Sequence, residues 1–394
     1  MNDIYLDASA TTPPHINVIN KIKDVQLEYW GNPSSIHNIG IKAREIVERS
    51  RLLIANKLKS NSNDIFFTSG ATESNYIAIK GLCRNLEKGR IVVSSVEHPS
   101  INLIVNDLMN EGWEIKYWPV DSKGIIKLDL IEEMLSKPTK LVSIIWGQSE
   151  IGSVQPINYV GKECINRNIF FHTDATQVLP NGLIDWNSLN VDMLSASAHK
   201  LQGPKGTGLL MLKKNIQDIF ASSSTYGFKE GAIRSGTDSV PLIAGFASAI
   251  DLLNEYIIVN EKETLFPDSD VSRLTSILKS NLIKNKQLTF IGSEISRLPN
   301  NLSFICHTES MIPIRGREIV RELSKKRVFT SSGSACSSSK RGPNPILAAI
   351  NVHESLQESG LRITIGPWIC SNDIKVVLNI ISESLYSLQL KSIN

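Results

Sequence analysis

A lysine and an aspartate stand at the ends of two successive apolar segments, and together they could hold an electron-withdrawing cofactor. The segment Ile169–Asp174 ends in its aspartate, and the next, from Val191, ends in His199 and Lys200. Ligands of an open parallel sheet bind beyond the carboxyl ends of its strands. Desolvation there would lower the pKa of the lysine amine and allow a Schiff base, while the carboxylate would keep a pyridine nitrogen protonated. The pair predicts a pyridoxal phosphate site, although singly Asp174 could be a helix N-cap and Lys200 a surface lysine.

A second segment could bind the phosphate of such a cofactor. Within Phe66–Asn75 an apolar strand leads into Gly70, Ala71 and Thr72, and a helical pattern begins at Glu73. Backbone N–H groups at a helix N-terminus bind phosphate, and a threonine hydroxyl adds a donor. The same residues would also cap a helix without any ligand, so the segment supports a phosphate site only together with the lysine–aspartate pair.

One histidine follows a predicted strand and directly precedes a proline. This residue is His98, in the segment 94–100. An imidazole at that edge of a sheet could stack on a cofactor ring or move protons. Without the neighbouring segments, an ordinary polar residue is the favoured interpretation.

One cysteine lies in a segment too small and polar to pack into a core. Cys336 is flanked by Ser, Gly and Ala within Thr330–Pro343, with Lys340 and Arg341 nearby, whereas Cys306 lies in an apolar strand. We expect an exposed, mobile thiol whose neighbouring cations favour the thiolate. Cys336 is therefore the candidate nucleophile, and the alternative is a linker cysteine without function.

The elements that must position these residues form an α/β pattern. Segments such as 141–146 are apolar without alternation, as in a parallel sheet covered by helices on both faces. After about residue 240 the pattern changes: Val240–Ile258 predicts a long helix, 260–270 a junction, and the remainder a smaller α+β domain. Strands are predicted at 64–69, 90–94, 114–118, 141–146, 169–174, 193–197 and 208–212, then at 287–291, 302–306, 326–330 and 361–365, with later helices at 271–285, 315–325 and 372–389.

Composition excludes several classes of protein. The 394 residues are enough for two or three domains, and 42 basic against 39 acidic residues give a net charge of +3 without a long block of one sign. We therefore expect no direct nucleic-acid binding. No apolar run approaches the roughly 18 residues that a membrane helix needs, and the first residues lack the pattern of a signal peptide. Five scattered cysteines without a CxxC pair argue against a disulfide framework and a zinc site, so we expect a cytoplasmic enzyme without a metal.

Together these segments resemble the cysteine desulfurases of the nitrogen-fixation and iron–sulfur-cluster type, in the class V aminotransferase group of fold-type I pyridoxal phosphate enzymes. The matching segments follow the family's order over nearly the whole chain: YLDASATTP (5–13), GNPSSIHNIG (31–40), FTSGATESN (67–75), EHPS (97–100), HTDATQ (172–177), SASAHKLQGPKG (195–206), IRSGT (233–237), SSGSAC (331–336) and LRITIG (361–366). The resemblance implies a large domain, 16–258, with a mostly parallel seven-stranded sheet. It also implies a small α+β domain, 1–15 and 259–394, that carries the loop 331–343.

The resemblance also implies a role for each site residue. Lys200 would bind the cofactor aldehyde and remove the substrate α-proton, and Cys336 would accept the sulfur of L-cysteine as a persulfide, so that L-alanine leaves. Arg362 would bind the substrate carboxylate, which a guanidinium pairs with bidentately. The remaining residues would hold the cofactor: Asp174 at the pyridine nitrogen, Gln177 and Ser149 at the ring hydroxyl, His98 on the ring, Ala71, Thr72, Ser197 and His199 at the phosphate, and Thr237 at the phosphate of the other subunit of a homodimer. The sulfur would then pass to an acceptor protein, for iron–sulfur cluster assembly or for tRNA or cofactor thiolation, by a swing of the loop.

Two departures from the family pattern keep other functions open. The family usually has Asn where this chain has Ser149, and Thr-Ser where it has Ser337 and Ser338. The shorter side chain of Ser149 could lose a hydrogen bond to the ring hydroxyl or use water. Another class V activity (selenocysteine lyase, C–S lyase or aminotransferase) is one alternative, and an impaired homologue with a regulatory role is another. The thiol of Cys336 argues for sulfur transfer, since a plain aminotransferase needs none.

Overall fold

The part of the chain that the structure describes contains fourteen strands, in three layers with the helices. This computed structural model describes residues 3–223, 234, 236–333 and 343–393. In chain order the strands are β1 (Ile4–Tyr5), β2 (Ile65–Thr68), β3 (Arg90–Ser94), β4 (Glu114–Trp118), β5 (Thr139–Ile145), β6 (Phe170–Asp174), β7 (Met193–Ser197), β8 (Gly208–Leu212), β9 (Ile258–Val259), β10 (Thr264–Leu265), β11 (Leu288–Phe290), β12 (Asn301–Cys306), β13 (Val328–Phe329) and β14 (Gly360–Thr364).

Twelve α-helices are found among the same residues. They are α1 (Ile16–Glu28), α2 (Asn38–Lys57), α3 (Ala71–Tyr76), α4 (Pro99–Asn110), α5 (Ile131–Met134), α6 (Ile157–Asn166), α7 (Lys214–Ser223), α8 (Val240–Asp251), α9 (Asp270–Leu282), α10 (Gly316–Lys325), α11 (Pro345–Ala349) and α12 (Ser371–Ile393). Helix α3 continues into a π-helical turn over Ile77–Gly81.

A seven-stranded sheet carries most of the predicted site residues. Its strand order is β2-β8-β7-β6-β5-β3-β4, and only β8 runs antiparallel to its neighbours. The carboxyl ends of the six parallel strands therefore meet at one edge, where Ser94, Ile145, Asp174 and Ser197 end their strands. The predicted α/β fold with a mostly parallel sheet is confirmed, and the seven strands lie within two residues of the predicted ranges.

The central strands are apolar on both faces because both faces are covered. One face packs into a large core with α1, α2 and α8, which includes Trp146 and Phe246. The other face packs against α4 and the π-helical turn that follows α3, through residues such as Ile104 and Ile79. Burial on both sides explains why these strands lack polar alternation.

A smaller antiparallel sheet positions Arg362. Its order is β11-β12-β14, with Arg362 opposite Ser303 in the register of β12 and β14. Helices α9, α10 and α12 cover it in a separate apolar cluster that includes Leu278, Phe304 and Ile381. The domain boundaries given above, 16–258 against 1–15 and 259–394, stay a prediction.

The helix predicted over Val240–Ile258 is wrong at its carboxyl end. Helix α8 ends at Asp251, and Ile258 instead pairs with Leu265 in a two-stranded antiparallel ladder. The hydroxyl of Tyr256 donates to the carbonyl of Lys57 at 2.8 Å, and the N–H of Ile257 donates to the carbonyl of Leu183 at 2.9 Å. These contacts to distant parts of the chain fix the backbone after Asp251. The helix therefore ends there, although the spacing of the apolar residues that follow would fit a helix.

Among the described residues, no helix combines the length and the apolar character needed to cross a bilayer.

Candidate functional site

A cavity of about 450 Å³ opens at the carboxyl edge of the seven-stranded sheet. The N-terminal residues Ser9 and Ala10 also line it, as does Arg362 from the smaller sheet. Ten of the residues predicted from the sequence border this one cavity: Ala71, Thr72, His98, Ser149, Asp174, Gln177, Ser197, His199, Lys200 and Arg362.

Asp174 is held by hydrogen bonds to both carboxylate oxygens. It ends β6 and is buried. Its Oδ2 accepts from Nδ2 of Asn75 at 2.9 Å, and its Oδ1 accepts from the N–H of Thr176 at 2.9 Å. Asn75 also donates to the hydroxyl of Ser100 at 3.1 Å. A fixed carboxylate at the cavity wall suits the partner of a protonated ring nitrogen.

The imidazole of His98 is oriented by the helix that follows it. His98 is the N-cap of α4, and its Nδ1 accepts from the N–H of Ser100 at 3.2 Å. Burial lowers the pKa of His98, Asp174 opposes that shift, and Lys200 adds to it. The ring is therefore neutral near pH 7, as suits a flat apolar surface for a cofactor ring.

The Lys200 amine lies against the N-terminal segment. It donates to the carbonyls of Ser9 at 2.5 Å and Ala10 at 2.7 Å. Nε2 of Gln177 donates to the same Ser9 carbonyl at 3.0 Å. Thus two predicted cofactor residues share one main-chain partner that precedes the first helix.

One end of the cavity is suited to an anion. The N–H groups of Ala71 and Thr72, at the start of α3, face no acceptor among the residues that the structure describes. His199 lies beside Lys200 and Lys205, and burial together with these cations lowers its pKa to about 4. Cations and free N–H groups in one place favour phosphate.

A close approach of two backbones shapes this anion-binding end. A Cβ at Gly208, the first residue of β8, would lie 2.6 Å from Cα of Gly70, the residue before α3. A side chain at Gly208 would therefore displace the turn that leads into Ala71 and Thr72.

Arg362 is a buried guanidinium with a free donor. Its Nη2 pairs with Oδ1 of Asp7 at 2.7 Å, and its Nη1 donates to the carbonyl of Ser149 at 3.2 Å. Its Nε is buried and has no hydrogen-bond partner among the described residues. A guanidinium that borders the cavity can pair with a substrate carboxylate. Ser149 contributes its main-chain carbonyl to this contact, a role that the sequence reasoning did not anticipate.

One predicted residue does not line the cavity, and another lies outside the described residues. Thr237 is exposed shortly before α8 and is not among the lining residues. Cys336 lies outside the described residues, as do Ser337, Ser338, Lys340 and Arg341.

The four other cysteines differ in exposure. Cys83, Cys164 and Cys306 are buried, and burial raises the pKa of each thiol, to about 12 for Cys83 and Cys306. These thiols are inert at neutral pH. Cys370 is exposed, directly precedes α12 and does not line the cavity. Among the described residues no group of three or more His, Cys, Asp or Glu side chains could hold a metal ion.

Sequence reasoning missed the residues that support the site. Asn75 and Thr176 lie within quoted motifs, but their hydrogen bonds to Asp174 have no signal in spacing. Asp7 and Ser9 lie far in sequence from the groups they contact. Glu97 precedes His98, is fully buried, and joins the ends of two strands: its Oε1 accepts from the Ser94 hydroxyl at 2.5 Å and from the N–H of Ile145 at 2.8 Å.

Comparison with known proteins identifies relatives over almost the whole chain. The family model "Aminotransferase class-V" matches residues 4–377. The chain is 36% identical to the cysteine desulfurase IscS of Dictyoglomus turgidum, over 98% of this chain and 95% of that protein. It is 35% identical to the mitochondrial cysteine desulfurase of Candida albicans, over 99% of this chain and 78% of that protein.

Solved structures of similar proteins superpose on nearly the whole chain. A NifS-like protein superposes with a TM-score of 0.83 at 29% identity, covering 98% of this chain and all of that one. A structure of SspA in complex with cysteine superposes with a TM-score of 0.77 at 30% identity, covering 93% of this chain and all of that one.

Proposed function

Because the chain belongs to the cysteine desulfurase group of the aminotransferase class-V family, we propose that it converts L-cysteine to L-alanine and transfers the sulfur to Cys336. One observation carries this proposal. The cavity brings together an amine (Lys200), a fixed carboxylate (Asp174) and a buried guanidinium with a free donor (Arg362). The guanidinium suits the carboxylate of an amino acid, whereas the amine and the fixed carboxylate suit the aldehyde and the ring nitrogen of a cofactor.

The residues fit pyridoxal phosphate. Lys200 would hold its aldehyde, Asp174 its ring nitrogen, Gln177 its ring hydroxyl, and the neutral His98 ring would lie against it. The unpaired N–H groups of Ala71 and Thr72, with Ser197 and His199, would hold the phosphate. The cofactor supplies an electron sink that stabilises negative charge at the substrate carbons.

The protein's own groups perform the remaining steps. Arg362 binds the substrate carboxylate and orients the α-carbon toward Lys200. The Lys200 amine removes the α-proton and returns a proton to the substrate. The Cys336 thiolate attacks the substrate sulfur, the carbon–sulfur bond breaks, and the carbon takes up a proton. Cys336 is left as a persulfide and the substrate as L-alanine, so sulfur, protons and electrons balance.

The proposal includes the assembly and the route of the sulfur. The protein would act as a cytoplasmic homodimer in which Thr237 reaches the partner's phosphate site, and would pass sulfur to an acceptor protein for iron–sulfur cluster assembly or thiolation. A band of exposed apolar side chains around α1 and the start of α2 supports a self-association surface: Ile16, Ile19, Trp30, Ile36 and Ile39. Sedimentation analysis of the holoprotein tests the dimer.

The test of the function measures alanine. The purified holoprotein is given L-cysteine and a reducing thiol, and we expect L-alanine to form at many equivalents per protein. Lys200→Ala should abolish it, whereas Lys123→Ala, at an exposed lysine, should not. Pyruvate in place of alanine, or activity that requires a keto acid, would instead indicate a C–S lyase or an aminotransferase.

A further inference from the structure

The two groups that act on an amino acid substrate, Lys200 and Arg362, come from different sheets. Lys200 follows β7 of the seven-stranded sheet, and Arg362 lies on β14 of the three-stranded sheet. The strand ladders of the described residues do not join these two sheets. A shared element must therefore set the position of Arg362 relative to Lys200.

The N-terminal segment Asp7–Thr12 contacts both groups. At its start, Oδ1 of Asp7 pairs with Nη2 of Arg362 at 2.7 Å, and the side chain of Arg362 is only 3% exposed. The Asp7 backbone forms an isolated parallel bridge with Thr364, and the N–H of Ser9 donates to the hydroxyl of Thr364 at 2.9 Å. This half of the segment is thus fixed to β14 itself.

The other half of the segment is fixed to the end of β7. The carbonyls of Ser9 and Ala10 accept from the Lys200 amine. The hydroxyl of Thr11 lies 3.1 Å from Nδ1 of His199, and the hydroxyl of Thr12 donates to the His199 carbonyl at 2.9 Å. The contact to the guanidinium, at Asp7, and the first contact to the amine, at Ser9, therefore lie two positions apart in a turn, in which the N–H of Ala10 donates to the Asp7 carbonyl at 3.0 Å.

Asp7 is the one charged member of this segment, and its partner is a cation that borders the cavity. Without this carboxylate the guanidinium would be buried, before the substrate binds, with no counter-ion among the described residues. It also fixes the plane of the guanidinium, on which bidentate recognition of a second carboxylate depends.

We propose that Asp7 is a positioning residue that sets Arg362 to receive the carboxylate of an α-amino acid whose α-carbon faces Lys200. The segment Asp7–Thr12 thereby selects amino acids over amines that lack the carboxylate. The inference rests on the proposed function, since it concerns recognition of the same substrate.

The test compares two ligands on the holoprotein by titration calorimetry: L-alanine, and ethylamine, which lacks the carboxylate. We expect Asp7→Ala to raise the dissociation constant for L-alanine about tenfold or more, since an ordered contact to a charged group is lost, and to change that for ethylamine less than about twofold. Asp7→Asn keeps Oδ1 as an acceptor and should bind L-alanine within about threefold of the wild type. This variant also guards against misfolding of the alanine variant.

Asp3→Ala is the matched control. Asp3 lies in the same N-terminal stretch and pairs with Arg327 at the same 2.7 Å, but this pair is exposed and does not border the cavity. The Asp3→Ala variant should bind L-alanine and ethylamine with the dissociation constants of the wild type. If Asp7→Ala changed the dissociation constants of both ligands equally, or changed neither, the inference would be overturned. The proposed function would still stand, provided that the wild type desulfurates L-cysteine. A wild type that neither binds L-alanine nor consumes L-cysteine would refute the proposed function instead.

Discussion

Glu97 gives the protein a pH-dependent stability that a single substitution should remove. Its carboxyl group is fully buried, and its Oε2 has no hydrogen-bond partner among the described residues. Burial raises its pKa from 4.5 to about 8, against the hydrogen bonds from Ser94 and Ile145, and Asp174 adds to the rise. Between these two pH values the folded protein keeps the proton and the unfolded chain does not. The free energy of unfolding therefore falls as the pH rises across this window.

The magnitude follows from the two pKa values. Each pH unit within the window costs about 1.4 kcal/mol, so the whole window is worth roughly 5 kcal/mol and the range from pH 6 to 8 roughly 2–3 kcal/mol. Glu97→Gln keeps Oε1 as the acceptor for Ser94 and Ile145 and cannot ionise. For a chain of this length the difference corresponds to about 3 °C in Tm.

The assay is thermal unfolding of wild type and Glu97→Gln at a series of pH values. The Tm of the variant minus that of the wild type should increase by about 3 °C between pH 6 and 8, whatever its value at pH 6. Glu87→Gln, at an exposed loop glutamate, is the control and should show a difference that does not vary with pH. A flat difference for Glu97→Gln would refute the reasoning, because the buried carboxyl would then titrate as it does in the unfolded chain.

Two further substitutions test the residues proposed to surround the ring of pyridoxal phosphate. Asn75→Ala removes a hydrogen bond of 2.9 Å to the Asp174 carboxylate, so it should raise the dissociation constant of pyridoxal phosphate, measured by equilibrium dialysis, about tenfold. The control Asn85→Ala loses a hydrogen bond to a main-chain carbonyl on the same helical stretch and should leave that constant unchanged. Equal cofactor affinity in the wild type and both variants would contradict the role of Asn75. Ser149→Asn keeps the main-chain contact to Arg362 and adds an amide at the cavity wall, so it should shift the visible absorption of the bound cofactor and change turnover; unchanged spectra and rates would mean that this position does not reach the ring.

The sequence predicts the sheet and the ends of its strands because burial and chemistry coincide there. Asp174 and Lys200 are polar residues that directly follow apolar runs, and a parallel sheet brings such ends together whatever the details of packing. The motifs around Ala71 and His98 reach the same cavity for the same reason.

The supporting contacts could not be predicted, since they join distant parts of the chain. Asp7 meets a residue 355 positions away, and Ser9 meets one 191 positions away, which no local pattern encodes. The end of α8 was misjudged for a related reason: Tyr256 and Ile257 bond to Lys57 and Leu183, and these partners override a helical spacing of apolar residues.

The central claim, that sulfur from L-cysteine passes to Cys336, is tested most directly by mass spectrometry after a single turnover. The holoprotein is mixed with one equivalent of L-cysteine without reductant, blocked with an alkylating agent and digested. The account predicts that the peptide containing Cys336 gains the mass of one sulfur atom as L-alanine forms, and that the peptide containing the exposed Cys370 does not. L-alanine without added sulfur on the Cys336 peptide would contradict it.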